Sequence, residues 1–166
     1  MNQLLQIIPI EFWINKLQLQ PHPEGGYYKE IYRSSDWVQF DGFDSPRNIC
    51  TSIYYVLTKH NFSSLHRLKS DELWHFHYGH PAVVHIINEK GHHESKIVGI
   101  DEHGNGDFQI IIPKNSWFCA ETLGDYSLVG CTVAPGFNFL DFEMGDRRKL
   151  LEMFPQHEEL ITKFCR

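Results

Sequence analysis

The sequence is poor in the features that mark several large protein classes. Its 15 Lys and Arg form no run, and the net charge is −6 with His neutral. A protein that tracks nucleic-acid phosphates needs a basic footprint, so a nucleic-acid partner is not expected. No stretch approaches the roughly 18 uninterrupted apolar residues of a spanning helix, so no membrane partner is expected either. The opening MNQLLQIIPIEFW has no Lys or Arg, and Gln6 and Pro9 interrupt its apolar character. It does not read as a secretory signal. The four cysteines, Cys50, Cys119, Cys131 and Cys165, include no CxxC pair. Zinc-ribbon and dithiol-redox readings therefore lack their spacing. Cys119 and Cys131 lie among apolar residues and read as small buried hydrophobes. These absences make the cytoplasm the expected compartment.

The chain of 166 residues has the length of one domain and, at 42% hydrophobic and 14% aromatic, the composition of a globular one. Pro9 to Leu19 predicts a short helix, with Ile10, Trp13, Ile14 and Leu17 on one face. The turn-rich PHPEGG, Pro21 to Gly26, breaks it. From Tyr27 onward come about eight short β-type runs: YYKEIYR, ICTSIYYVLT, DELWHFHY, PAVVHIIN, HESKIVGI, FQIIIP, SWFCAET and YSLVGCTVA. Their Gly-, Asn- and Asp-rich separators argue for a sandwich or barrel, and no βαβ alternation competes. The end, GDRRKLLEMFPQHEELITKF, predicts two short helices, the first capped by Asp146 and the second started by Pro155.

Histidine is in excess. The chain has 11, and eight fall between His60 and His93. The richest stretch is Ser63 to Pro81, SSLHRLKSDELWHFHYGHP. If Asp71 to Tyr78 is a strand, Glu72, Trp74, Phe76 and Tyr78 share one face. A carboxylate heading an aromatic face needs a partner if that face is buried, and His66 or Arg67 can supply it. The result would be a pocket with aromatic walls and a few polar groups. The competing reading leaves Glu72 exposed at a strand end. His75 and His77 sit two apart on the opposite face, a spacing that can chelate but that more often marks a surface or a dimer contact.

Glu72 followed six residues later by Gly79 matches the E-x6-G half of the first cupin motif. The chain resembles the uncharacterised cupin family known as domain of unknown function 985. The resemblance runs through PHPEGGYYKEIYRS, TSIYYVL, HRLKSDELWHF, QIIIPKNSWFCAE and VGCTVAPGFNFLDFE. It implies an all-β fold, a cupin jelly-roll β-barrel with short N- and C-terminal helices. One domain would span 1–166, with the N-terminal helix in 1–20, the barrel in 27–143 and the C-terminal helices in 146–165. A homodimer and a cavity inside the barrel are also implied.

Carried over to this sequence, the metal ligands of typical cupins fall at Ser64, His66, Glu72 and Phe118. Only His66 and Glu72 are competent, so a divalent metal there is disfavoured and no cofactor is expected. Without metal, a pocket of this kind can transfer protons. Histidine titrates near pH 6.5 in water, which suits it to base catalysis at neutral pH. Sugar-nucleotide 3,5-epimerases of the superfamily use a His base and a Tyr acid. By that likeness His66 is the expected base, Glu72 its orienting group and Tyr27 the acid. Glu24, Arg33, Tyr55, Arg67, Trp74, Phe76 and Trp117 are the expected ligand-binding residues. Arg33 and Arg67 suit a phosphate or carboxylate, and Trp117 suits an aromatic wall. The expected function is binding of a small polar, sugar- or nucleotide-like ligand, with metal-independent isomerase or epimerase activity. The alternatives are a non-catalytic binding module and, behind it, a metal-dependent dioxygenase.

Overall fold

The computed structural model describes residues 7–165. Positions 1–6 of the expected N-terminal segment lie outside the described residues. Helix α1 (Ile10–Leu17) leads into β1 (Gln20–Pro21), β2 (Tyr27–Arg33), β3 (Trp37–Val38), β4 (Arg47–Asn48) and β5 (Thr51–Thr58). There follow β6 (Ser63–Leu68), β7 (Asp71–Gly79), β8 (Ala82–Ile87), β9 (His93–Val98) and β10 (Gln109–Ile112). Last come β11 (Trp117–Thr122), β12 (Tyr126–Ala134), β13 (Phe142–Met144), α2 (Arg147–Met153) and α3 (Glu158–Phe164). Pro155 opens a 3₁₀ turn that feeds α3 rather than starting the helix itself. Among the described residues no helix is long and apolar enough to cross a membrane.

Alternation of apolar and polar residues drives the strands into two antiparallel sheets. The first has the order β1-β2-β5-β12-β7-β10 and the second β13-β6-β11-β8-β9, with β3-β4 as a separate ribbon. Facing side chains of the two sheets, among them Trp74, Ile86, Ile112, Phe118 and Val129, form one core. The strand pattern predicts a sandwich or barrel and the resemblance implies a jelly roll; the fold is consistent with both, although the sheets stay distinct and do not close into one barrel. The apolar face of α1 packs on the outside of the first sheet against Val56, Tyr126 and Leu128. Helices α2 and α3 cover the outside of the second sheet through Leu150, Ile161 and Phe164.

Three bulges decide which side chains face inward, because an extra residue reverses the alternation beyond it. In β2 the pairing with β5 slips at Ile31, so Glu30 and Arg33, three apart, both fall on the cavity side of the sheet, where they stay exposed. In β7 the slip falls at His77. Phe76 stays in the core, while Tyr78 turns outward onto Trp13 of α1. The expected common face of Glu72, Trp74, Phe76 and Tyr78 is therefore broken before Tyr78. In β6 the slip against β11 lies between the partners Ser63 and His66.

Candidate functional site

Between the sheets, the interior that the apolar core leaves unfilled is a cavity of about 310 Å³. Its polar lining includes His22, Glu24, His66 and Glu72, with Tyr55 and Cys131 beside them, and Glu30, Arg33, Thr51 and Asn138 also face it. Phe137, Phe139 and Phe142 supply an aromatic wall. That wall is held by a buried ion pair, in which the Arg47 guanidinium grips both carboxylate oxygens of Asp141 at 2.6 and 2.9 Å.

Glu24 is placed by PHPEGG. Gly26 has φ +72, and a Cβ there would meet the Val56 carbonyl oxygen at 2.6 Å. Glycine alone lets this turn lie flat on β5. The Tyr55 hydroxyl then donates to the Gly25 carbonyl at 2.8 Å and locks it down. Thus held, the Glu24 carboxylate accepts from Ser63 Oγ at 3.0 Å. Its other oxygen lies 3.1 Å from His66 Nε2.

The tautomer of His66 follows from its second contact. Its Nδ1 lies 2.7 Å from the Ser64 carbonyl, and a carbonyl can only accept, so Nδ1 carries a proton. The contact between Nε2 and Glu24 then needs one more proton, held either on the imidazole or on the carboxyl. His66 and Glu24 form a hydrogen-bonded dyad, 2% and 7% exposed. His22 Nδ1 accepts from the Glu24 N–H at 3.3 Å, which makes its Nε2 the N–H of the neutral ring. Burial lowers the His22 pKa, and nearby His66 adds to this against the opposing pull of Glu24.

Glu72 is the opposite case. Burial, reinforced by the charge of Glu24, pushes its pKa up to about 8, although Trp74 and Cys131 hydrogen bonds pull the other way. At neutral pH it is a carboxylic acid, accepting from Trp74 Nε1 at 2.9 Å. Burial, then Glu24, raises the Tyr55 phenol well above its ordinary value. Burial and Glu72 do the same for the Cys131 thiol. Both stay neutral.

The expected site residues fall into two groups. Glu24, Arg33, Tyr55, His66 and Glu72 line the cavity. Tyr27, Arg67, Trp74, Phe76 and Trp117 do not. Tyr27 packs outward toward α1, and the inward neighbour is Tyr28. Arg67 points away from His66, pairs with Glu143 at 2.7 Å and covers the Trp117 ring at 4.7 Å. Trp117 belongs to the core under α2 and α3. Trp74 acts from behind the wall through Glu72, and Phe76 fills the core. The partners of Glu72 are thus Trp74 and Cys131, neither His66 nor Arg67. Arg33 reaches the cavity, but Glu30 takes its Nε and Nη2 at 3.0 and 2.7 Å, while Asn48 and the Phe137 carbonyl take Nη1. Sequence reasoning missed His22 and Ser63. The His-Pro-Glu spacing was a signal for the first, whereas the second depends on the β6 bulge.

A profile described as Cupin superfamily (DUF985) matches residues 11–145. The chain belongs to this cupin family. Among solved structures, a hypothetical protein from Leishmania major is 36% identical with a TM-score of 0.89, over 95% of this chain and 99% of that one. A protein from Shewanella oneidensis is 36% identical with a TM-score of 0.85, over 98% and 99%. Oxalate decarboxylase from Bacillus subtilis, 18% identical with a TM-score of 0.55, is matched over 87% of this chain and 36% of its own. At that identity the likeness concerns the fold alone. A search of curated proteins found no match.

The cupin fold raises the question of a metal, and the donor set at the four family positions does not fit one. Phe118 lies opposite His66 in the ladder, with ring centroids 4.0 Å apart, so a phenyl ring fills the place of the fourth ligand. Ser64 Oγ is buried without a hydrogen-bond partner. Glu72 carries a proton at neutral pH. Among the described residues, no three His, Cys, Asp or Glu side chains are arranged to hold an ion.

Proposed function

We propose that the cavity binds a small, uncharged, hydroxyl-rich ligand and moves a proton on it, as an isomerase or epimerase does. One observation carries this reading: the hydrogen-bonded dyad Glu24–His66 and a neutral carboxyl, Glu72, line the same cavity. Two titratable groups pushed to opposite roles are what acid–base chemistry at neutral pH requires. The dyad takes a proton from the carbon next to a carbonyl carbon, and the electron pair moves onto the carbonyl oxygen. Glu72 gives its proton to the oxygen, and return of both protons completes a redox-neutral isomerisation. The abstracted proton lands on the Glu24 carboxylate, which His66 holds in place, since both ring nitrogens of His66 are engaged. Glu72 serves as the acid, the role expected of Tyr27.

The ligand's charge follows from Arg33. Its guanidinium already holds the Glu30 carboxylate in two hydrogen bonds, so an anionic group must displace Glu30 to dock. A neutral sugar-like ligand is favoured over a nucleotide phosphate. Phe137, Phe139 and Phe142 would stack on its apolar faces.

The test is incubation with a panel of neutral aldoses, ketoses and their lactones in deuterated water, read by NMR. Carbon-bound deuterium should appear with the unmodified protein and fall about 10²-fold or more in Glu24→Gln, His66→Ala and Glu72→Gln. Tyr27→Phe should be unaffected. The aromatic wall also suits a binding module without chemistry. That reading replaces the first if native mass spectrometry finds a bound small molecule that never exchanges.

A further inference from the structure

The outer face of the second sheet holds a group of polar atoms unconnected with the cavity. His85 of β8 pairs directly with Ser95 of β9, and His93 stands two residues from Ser95 on the same face. Their polar tips form a triangle. His85 Nδ1 is 2.9 Å from Ser95 Oγ and 3.3 Å from His93 Nε2, and Ser95 Oγ is 3.4 Å from His93 Nε2. We propose that His85, His93 and Ser95 form a site for a divalent transition-metal ion of the imidazole-preferring kind, Zn²⁺ or Cu²⁺.

The geometry favours it. Donors of a tetrahedral zinc at bonds of about 2.0–2.1 Å stand about 3.3–3.4 Å apart. An ion just above this triangle reaches all three atoms at about that bond length. Two imidazoles are the ligands such ions select. Serine adds a neutral oxygen, and water completes the shell on the half-exposed side. Both rings have fixed surroundings: His85 lies against Phe164 of α3 at 5.6 Å, and His93 against His157 at 5.5 Å. His157 is not a donor in this scheme, because its Nε2 is bonded to the Gly91 carbonyl at 2.8 Å.

Protonation is compatible. Burial lowers the pKa of both rings, helped by His93 at His85 and by His157 and His92 at His93. The neutral ring is the form that ligates a metal. Without metal, His85 Nδ1–H can donate to Ser95 Oγ and Ser95 O–H to His93 Nε2. With metal, His85 moves its proton to Nε2 and presents Nδ1 to the ion, with no net proton loss.

The experiment is calorimetric titration of the tag-free chain with Zn²⁺, together with electron paramagnetic resonance after one equivalent of Cu²⁺. One ion should bind per chain, and the Cu²⁺ spectrum should show nitrogen coupling from two imidazoles. His85→Ala and His93→Ala should each weaken Zn²⁺ binding about tenfold or more, and Ser95→Ala only a few-fold. His92→Ala and the double variant His75→Ala, His77→Ala should bind as the parent does. Unchanged affinity in both His85→Ala and His93→Ala overturns the site, as does a Cu²⁺ spectrum with a single imidazole. The spectrum is read on the unmodified chain, so it does not depend on any variant folding.

Discussion

Burial holds Glu72 as a carboxylic acid up to about pH 8. In the unfolded chain the same group ionises near its ordinary value of 4.5. Between these two values the unfolded state binds fewer protons than the folded state, so rising pH favours unfolding. The stability that Glu72 contributes is complete below pH 4.5 and is lost as pH climbs through about 8. Glu72→Gln keeps the shape and the acceptor for Trp74 but removes the titration. Its denaturation midpoint should therefore be flatter than the parent's across this window, with the variant gaining relative stability at the alkaline end. His22 acts in the other direction. Its pKa is lowered, so its contribution is present above its ordinary value of 6.5 and is lost as pH falls through the folded value. Subtracting the Glu72→Gln profile from the parent's isolates the carboxyl. Urea titrations at several pH values check both signs.

At the level of elements, two contacts hold the cavity's surroundings in place. Arg47 and Asp141 join β4 to the turn before β13. Asp141→Ala would leave a guanidinium 1% exposed without its carboxylate, a loss of about 3–5 kcal/mol for breaking a buried pair. The aromatic wall Phe137–Phe142 should loosen with it, so ligand retention by native mass spectrometry should drop alongside urea stability. On the far side, α3 is held to the second sheet by Phe164, which is 1% exposed and packs on Phe62. Phe164→Ala should cost about 3–5 kcal/mol of unfolding free energy. Because that residue lies on the outer face of the sheet, the cavity should keep its acid–base groups. Urea denaturation and the exchange assay together separate the two effects.

The whole molecule is organised as four layers: α1, the first sheet, the second sheet, and the α2–α3 pair. Three apolar cores hold these layers together, and the four cysteines are free, with Cys50 half-buried and the others buried. A thiol reagent should label Cys50 in the native protein and the remaining three only after unfolding. The melting temperature should be the same with and without reductant. Labelling kinetics with mass readout, and paired thermal melts, check these outcomes.

Much of the architecture was legible because it is written in local periodicity. Alternation located the strands, Pro9 and the apolar face of Ile10, Trp13, Ile14 and Leu17 located α1, and Asp146 caps α2 through the Lys149 N–H as its residue type suggests. PHPEGG and SDELWHF also marked the two segments that deliver Glu24 and Glu72. What the chain could not declare by itself was inward or outward direction past a bulge. The slips at Ile31 and His77 depend on how a neighbouring strand, distant in sequence, pairs with the residue, and each one reverses every side chain that follows. Tertiary structure therefore decided that Arg33 joins Glu30, that Tyr78 leaves the face of Glu72, and that His66 faces Glu24. It also decided the protonation of Glu72, because desolvation is a property of the assembled core and not of the residue.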